Sequence, residues 1–303
     1  MTASNPPGSL PGPANTGPPA LRFAPSPNGA LHLGHALSAL TGYDMAQRLG
    51  GRFLLRIEDI DLARCRPEHV DGIFRDLEWL GIAWEEPVWR QSVRFPIYAS
   101  AAARLAAQGL LYPCFATRSE ILGAARPGAL DPDGAPLYPG LHRHLAPSEI
   151  ARRKASGQPF AMRIDMDRAH AAATAMAGGR PLGFAALDAA LQASPMTADP
   201  ARWGDAVIQR KDGPTSYHLA VVVDDAAQGV THVVRGSDLL AATDLHRLLQ
   251  VLLGLPAPHY HHHRLITDAI GRKLSKSFKD TSLRQLREAG LRPADLRHRI
   301  GLG

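Results

Sequence analysis

Two short stretches hold residue types that together could handle a phosphorylated ligand. The first, RFAPSPNGALHLGH (Arg22 to His35), sets His32 and His35 three positions apart on the first turn of an expected helix. At that spacing they share a face, so both imidazoles could donate to one phosphoryl group. Gly29 and Gly34 permit close backbone approach at the point where a strand hands over to a helix, and anions bind at such junctions. Neither G-x-G-x-x-G nor G-x-x-x-x-G-K-[ST] is present. Taken alone, H-x-G-H also fits two surface histidines. The second stretch, GRKLSKS (Gly271 to Ser277), puts Lys273 and Lys276 on a loop beside the small Ser275 and Ser277. Flexible lysines supply mobile point charges of the kind a departing pyrophosphate requires. By itself this is a common surface sequence; both motifs in this order, flanking a split sheet, are uncommon by chance.

The elements that must position these residues follow an α/β rhythm. Leu21 to Ala24 reads as a short strand, and Leu37, Leu40, Met45 and Leu49 before Gly50-Gly51 read as a helix and its stop. RFLLRIED (Arg52 to Asp59) is a second strand. Pro67 opens a helix carrying Val70, Ile73, Phe74, Leu77 and Leu80 at helical spacing, and Pro96 opens another that ends at Gly109. Strand and helix alternating in this way predict a parallel sheet. From about Pro113 to Pro214 the rhythm is lost among Pro/Gly breaks and an Ala-rich run. It resumes with YHLAVVVDD, expected as an unbroken apolar strand, then THVVRG, then a helix closed by Gly254.

The expected organisation is therefore a disordered tail at 1–20, half of a nucleotide-binding sheet at 21–112, an α+β insertion of about 100 residues at 113–214, the second half at 215–263, and a basic segment at 264–303. The tail is Pro, Gly, Ser, Thr, Asn and Ala with little to bury. A chain of 303 residues, 45% hydrophobic, has enough apolar material for a core. Cys65 and Cys114 cannot form a disulfide framework, and no leader or run of 18 apolar residues is present, so a soluble, cytosolic protein with no membrane association is expected. The net charge of +6 comes from the last forty residues, where ten Lys/Arg face four Asp/Glu. That cluster fits a polyanion such as ATP or RNA, and equally a solvated helix face.

The pairing of HLGH with KLSKS resembles class I aminoacyl-tRNA synthetases, whose HIGH and KMSKS signatures these look like. The resemblance is closer to the glutamyl branch: RFAPSPNGALHLGH, LLRIEDID, QSVRFPIY, SYHLAVVVDDAAQGVTHVVRGSDLL and GRKLSKS match in order from about Leu21 to Lys279. It implies a Rossmann-like parallel sheet split by the insertion. It also implies that ATP, with Mg²⁺, is held by His32, Gly34, His35 and Lys276, with Lys273 in support. On the same resemblance Arg22, Arg235 and Tyr217 bind the substrate's side-chain carboxylate, Glu58 faces its ammonium, and Phe23, Ala24, Pro25 and Ser26 frame the rest. The arginine fork is the cation suited to a buried carboxylate. RFAPSP, where glutaminyl relatives typically read RFPPEP, favours glutamate.

After KLSKS 26 residues follow, Phe278 to Gly303, too few for the usual helical anticodon-binding region. The truncated relatives that this pattern resembles are the glutamyl-Q tRNA(Asp) synthetases, which implies tRNA-independent activation of L-glutamate and its transfer to queuosine of tRNA(Asp) by a monomer. Three other readings are a short synthetase charging the terminal ribose, a non-catalytic RNA-binding paralogue, and a small-molecule nucleotidyltransferase. Many relatives carry zinc in the insertion as C-x-C followed by Y-x-x-x-C. The corresponding positions here are Cys114, Ala116, Tyr138 and His142, a degraded set not expected to hold zinc, even with His144 nearby. HYHHHR (His259 to Arg264) is expected to be a connector, since adjacent histidines on extended chain alternate faces. Cys65 is expected to be inert.

Overall fold

The computed structural model describes residues 17–266 and 281–302. In chain order the first elements are β1 (Ala20–Phe23), α1 (Leu33–Arg48), β2 (Arg52–Ile57), α2 (Pro67–Trp79), β3 (Glu85–Arg90) and α3 (Phe95–Ala107). There follow β4 (Leu111–Cys114), α4 (Arg118–Ala124), α5 (Pro147–Ala155), β5 (Ala161–Ile164), α6 (Met166–Met176), β6 (Gly183–Leu187), β7 (Ala193–Thr197) and β8 (Val207–Gln209). The chain continues with α7 (Tyr217–Ala227), β9 (His232–Gly236), α8 (Ala242–Leu253), β10 (His259–His263), α9 (Leu283–Glu288) and α10 (Pro293–Arg299).

Among the described residues the main sheet runs in the order β3-β2-β1-β9-β10-β6-β7, and β4-β5-β8 form a small antiparallel sheet. Every neighbour pair of the main sheet is parallel except β6 with β7. β2 and β9 bury apolar side chains on both faces, as helices on both sides require. Leu54 and Val233 point into a core shared with α3, α6, α7 and α8, whereas Phe53, Leu55 and Val234 point into one shared with α1, α2, α9 and α10. β1 and β9 lie side by side, so the carboxyl ends of two strands far apart in sequence open into one crevice.

Four expectations are corrected here. YHLAVVVDD is the helix α7, not a strand. Ser216 caps it, accepting from the Leu219 N–H at 3.4 Å, and Leu219, Ala220, Val221 and Val222 are all buried. A helix enclosed on nearly every side shows no amphipathic period, so its β-branched run imitates a strand. HYHHHR is not a connector: its first five residues are β10, hydrogen-bonded to β9 from His259 to His263. The expected 113–214 insertion does not stand wholly apart, because β6 pairs with β10 in the main sheet at Tyr260 and Ala186. Finally, residues 1–16 of the expected tail lie outside the described residues, but Ala20 is fully buried. Its N–H donates to Thr231 Oγ1 at 2.8 Å, which draws it into β1.

Arg287 at the end of α9 bonds Asp76 of α2 at 2.7 Å, and Arg297 of α10 bonds Asp44 of α1. Part of the basic excess after residue 263 thus fastens the last helices to the fold.

Candidate active site

A cavity of about 750 Å³ opens at the carboxyl ends of β1 and β9. Arg22, Phe23, Ala24, Pro25, Ser26, His32, Gly34, His35, Glu58, Tyr217 and Arg235 all line it. Lys273 and Lys276 lie outside the described residues. The flanking chain adjoins the cavity on both sides of them: Leu265 and Ile266 line it, while Ser282 bridges His32 and the Leu283 N–H donates to Leu31 O at 2.8 Å.

His32 is the N-cap of α1. Its Nδ1 accepts from the Gly34 N–H at 3.1 Å, and His35 Nδ1 accepts from the His32 N–H at 3.2 Å, a capping box made of imidazoles. An accepting Nδ1 carries no proton, so each neutral ring holds its proton on Nε2. The rings lie 3.9 Å apart between centroids, at the positive end of a 16-residue helix, where anions are favoured. Gly34 allows a close approach: a Cβ there would stand 3.0 Å from His32 Cε1, so the ring would have to shift by a few tenths of an ångström.

The two arginines differ in electrostatic state. Arg22 is already paired, its Nε and Nη2 donating to Asp225 at 3.0 and 3.3 Å. Asp225 also accepts from Arg56 Nη1 at 2.8 Å, and Arg56 Nη2 donates to Glu58 at 3.0 Å. Burial would raise the Asp225 carboxyl, but Arg22 and Arg56 outweigh it and hold it below the ordinary value. For Glu58 the balance reverses: burial lifts it above the ordinary range in spite of Arg56 and Arg22. Beneath them Asp224 accepts from Tyr98 Oη at 2.7 Å and Arg94 Nε at 2.8 Å.

Arg235, only 4% exposed, donates to His262 Nε2 at 3.3 Å, His246 Nδ1 at 3.2 Å and Thr243 Oγ1 at 2.7 Å. Among the described residues it makes no ion pair with a carboxylate. A buried cation satisfied by neutral acceptors retains its attraction for an anion. Tyr217, the first residue of α7, shares the cavity with it, and burial raises its phenol against the influence of Arg235 and Arg22. Asp225 and His246 escaped the reading from sequence. The one signal was the acidic pair Asp224-Asp225 inside an apolar run, and nothing marked His246.

The residues at the relatives' zinc positions do converge, through hydrogen bonds. Cys114 Sγ donates to Tyr138 Oη at 3.3 Å, which also accepts from the His142 N–H at 2.9 Å. His142 Nδ1 accepts from the Phe115 and Ala116 N–H groups, both at 3.1 Å. Burial and then Arg153 lower the His142 pKa, in line with that accepting geometry. Among the described residues no group of three or more His, Cys, Asp or Glu could hold a metal ion.

A mostly parallel sheet flanked by helices, with a polar cavity where β1 and β9 end, defines an α/β protein. Residues 20–302 match the family model of class I tRNA synthetases (E and Q), catalytic domain, and the chain belongs to that family. Within it, the chain is 48% identical to the glutamyl-Q tRNA(Asp) synthetase of Rhodobacter capsulatus, over 93% of this chain and 99% of that one. It is 41% identical to the enzyme of the same name from Symbiobacterium thermophilum, over 90% and 82%. The structure is similar to the glutamate tRNA ligase of Elizabethkingia meningosepticum crystallised with its amino acid, with a TM-score of 0.67 and 28% identity. The chain covers 53% of that ligase, about half its length.

Proposed function

We propose that this chain is a ligase that activates L-glutamate with ATP, independently of tRNA, and transfers the glutamyl group to queuosine in tRNA(Asp). The observation that carries the first half is Arg235, a buried guanidinium with no carboxylate partner among the described residues, in one cavity with the His32–His35 pair. One end suits a substrate carboxylate and the other a polyphosphate. The second half rests on likeness over nearly the full length of the Rhodobacter capsulatus enzyme.

In this reading Arg235 and Tyr217 receive the side-chain carboxylate, Glu58 receives the ammonium, and the α-carboxylate is left to attack the α-phosphorus. The bond to pyrophosphate breaks as the acyl–phosphate bond forms, with no covalent enzyme intermediate. Positioning and charge stabilisation carry such a step. The Nε2–H groups of His32 and His35 donate to phosphoryl oxygens, and Lys276 with Lys273 takes the leaving pyrophosphate. Mg²⁺, when bound with ATP, would supply charge screening of the phosphates at the His32–His35 end of the cavity. Arg22, charge-balanced by Asp225, frames the amino-acid end and holds Asp225 in place.

Among the described residues no helix is long and apolar enough to cross a membrane. A tRNA substrate places the working enzyme in the cytoplasm, and since one chain supplies the cavity we take the monomer as the unit. The test is to incubate the protein with labelled glutamate, ATP and tRNA(Asp) with and without queuosine, digest the RNA and identify the labelled nucleoside. Label on queuosine is expected. Label on the terminal adenosine, independent of queuosine, overturns the acceptor assignment.

A further inference from the structure

His246 and His262 belong to no phosphate or amino-acid contact assigned above, yet both face Arg235. Arginine has only N–H donors, so every nitrogen within hydrogen-bond distance of it must offer a lone pair. His246 Nδ1 is therefore unprotonated, its proton is on Nε2, and that N–H donates to His218 Nδ1 at 3.2 Å. His262 Nε2 is unprotonated for the same reason, and Thr243 Oγ1 lies 3.2 Å from it. Tyr260 closes the fourth side, its ring centroid 5.3 Å from the guanidinium carbon.

All these contacts are neutral. Of the charged side chains on the same cavity, Arg22 is paired with Asp225 and Glu58 with Arg56, while His261 and His263 flank His262 on β10. Burial first and then Arg235 push His262 down to about 3 and His218 to about 4, and hold His246 well below the ordinary imidazole value. A sequence that needed only to satisfy a buried arginine would place a carboxylate there, as Asp225 is placed beside Arg22. Here the orientation is fixed and the charge is left over.

We propose that His246, seconded by His262 and Thr243, is a positioning residue that holds Arg235 oriented without neutralising it, and that this sets the preference for a carboxylate over a carboxamide side chain in the amino-acid substrate. The inference rests on the glutamate reading above and adds to it the source of discrimination. An amide presented to Arg235 leaves the cation uncompensated; a carboxylate supplies the buried counter-ion.

The test compares His246→Asn with His246→Asp, which have nearly the same shape and differ in charge. Glutamate and glutamine are assayed separately by ATP–pyrophosphate exchange. The Asp variant is expected to raise the KM for glutamate at least roughly tenfold over the Asn variant, the factor 1.4 kcal/mol represents, and to narrow the glutamate-to-glutamine ratio of kcat/KM by a similar factor. The pair His262→Asn and His262→Asp, at a half-buried strand position, repeats the comparison should position 246 not tolerate the charge. Nitrogen-15 imidazole spectra of the unsubstituted protein should show His218, His246 and His262 neutral at pH 6. Asp and Asn variants within twofold of each other, or an imidazolium at His246 at that pH, overturns the cradle. Absence of glutamate-dependent exchange in the unsubstituted protein overturns the glutamate reading instead.

Discussion

Replacing Asp225 by asparagine tests whether the charge layer beneath the cavity is structural. Asp225 sits on α7 and accepts three hydrogen bonds, two from Arg22 and one from Arg56, at 3.0, 3.3 and 2.8 Å. Both arginines are almost fully buried, at 6% and 0% exposure. Asparagine keeps one accepting oxygen but turns an N–H₂ toward guanidinium N–H groups and removes the anion between two cations. Breaking a buried pair in this way costs about 3–5 kcal/mol, a large part of the roughly 5–15 kcal/mol that stabilises a typical domain. Keeping one acceptor puts the expected loss near the lower figure. Urea unfolding, followed through the fluorescence of the four tryptophans, measures it. The pH dependence has a definite sign: a carboxyl held below its ordinary value of 3.8 contributes stability above that pH and loses it as pH falls through the folded value. The gap between the two proteins should therefore close on acidification below about pH 4. A loss under about 1 kcal/mol at pH 7, or a gap that widens in acid, would refute the view that Asp225 is the keystone of this layer.

Three further outcomes are expected. Asp76, buried beneath Arg287, is raised from 3.8 to about 6 because burial exceeds the attraction of its partner. Stability should fall as pH rises from about 4 to 6, and Asp76→Asn should abolish that slope, worth roughly 1–3 kcal/mol by urea midpoints. Lys276→Ala should lower ATP–pyrophosphate exchange about a hundredfold or more, the scale of losing one transition-state donor; near-normal exchange in the folded variant removes it from the leaving-group role. Cys114→Ser should preserve the bond to Tyr138, so that its melting temperature, with or without a zinc chelator, stays within a few degrees of the parent, a shift of about 1 kcal/mol.

How legible the molecule was depended on how far apart its partners lie in sequence. β1, α1, β2 and α2 were readable because their periods are uninterrupted and Gly50, Gly81 and Pro67 punctuate them. α7 was not, since burial on most sides erases the period that distinguishes helix from strand. β6 and β7, with sequences GFAAL and ASPMT, carry no alternation or β-branched run to announce a strand. In the cavity, residues grouped in motifs could be named in advance. The partners that determine their charge could not: Arg22 and Asp225 are 203 positions apart, and Arg56 and Asp225 are 169 apart. Those pairings exist only once β1, β2 and α7 are packed together.

The pairing of β6 with β10 bears on how this polypeptide could be re-engineered. An inserted stretch that merely hung from its host could be cut out as a cassette and the ends rejoined. Removing 113–214 here would strip the strand carrying His262 of its outer neighbour and expose unsatisfied N–H and C=O groups along its length, inviting another molecule to add on. The small β4-β5-β8 layer shares no strand pairing with the main sheet among the described residues, but Ile164 and Ile208 tie it to the same core, so trimming there would open a cavity instead of an edge.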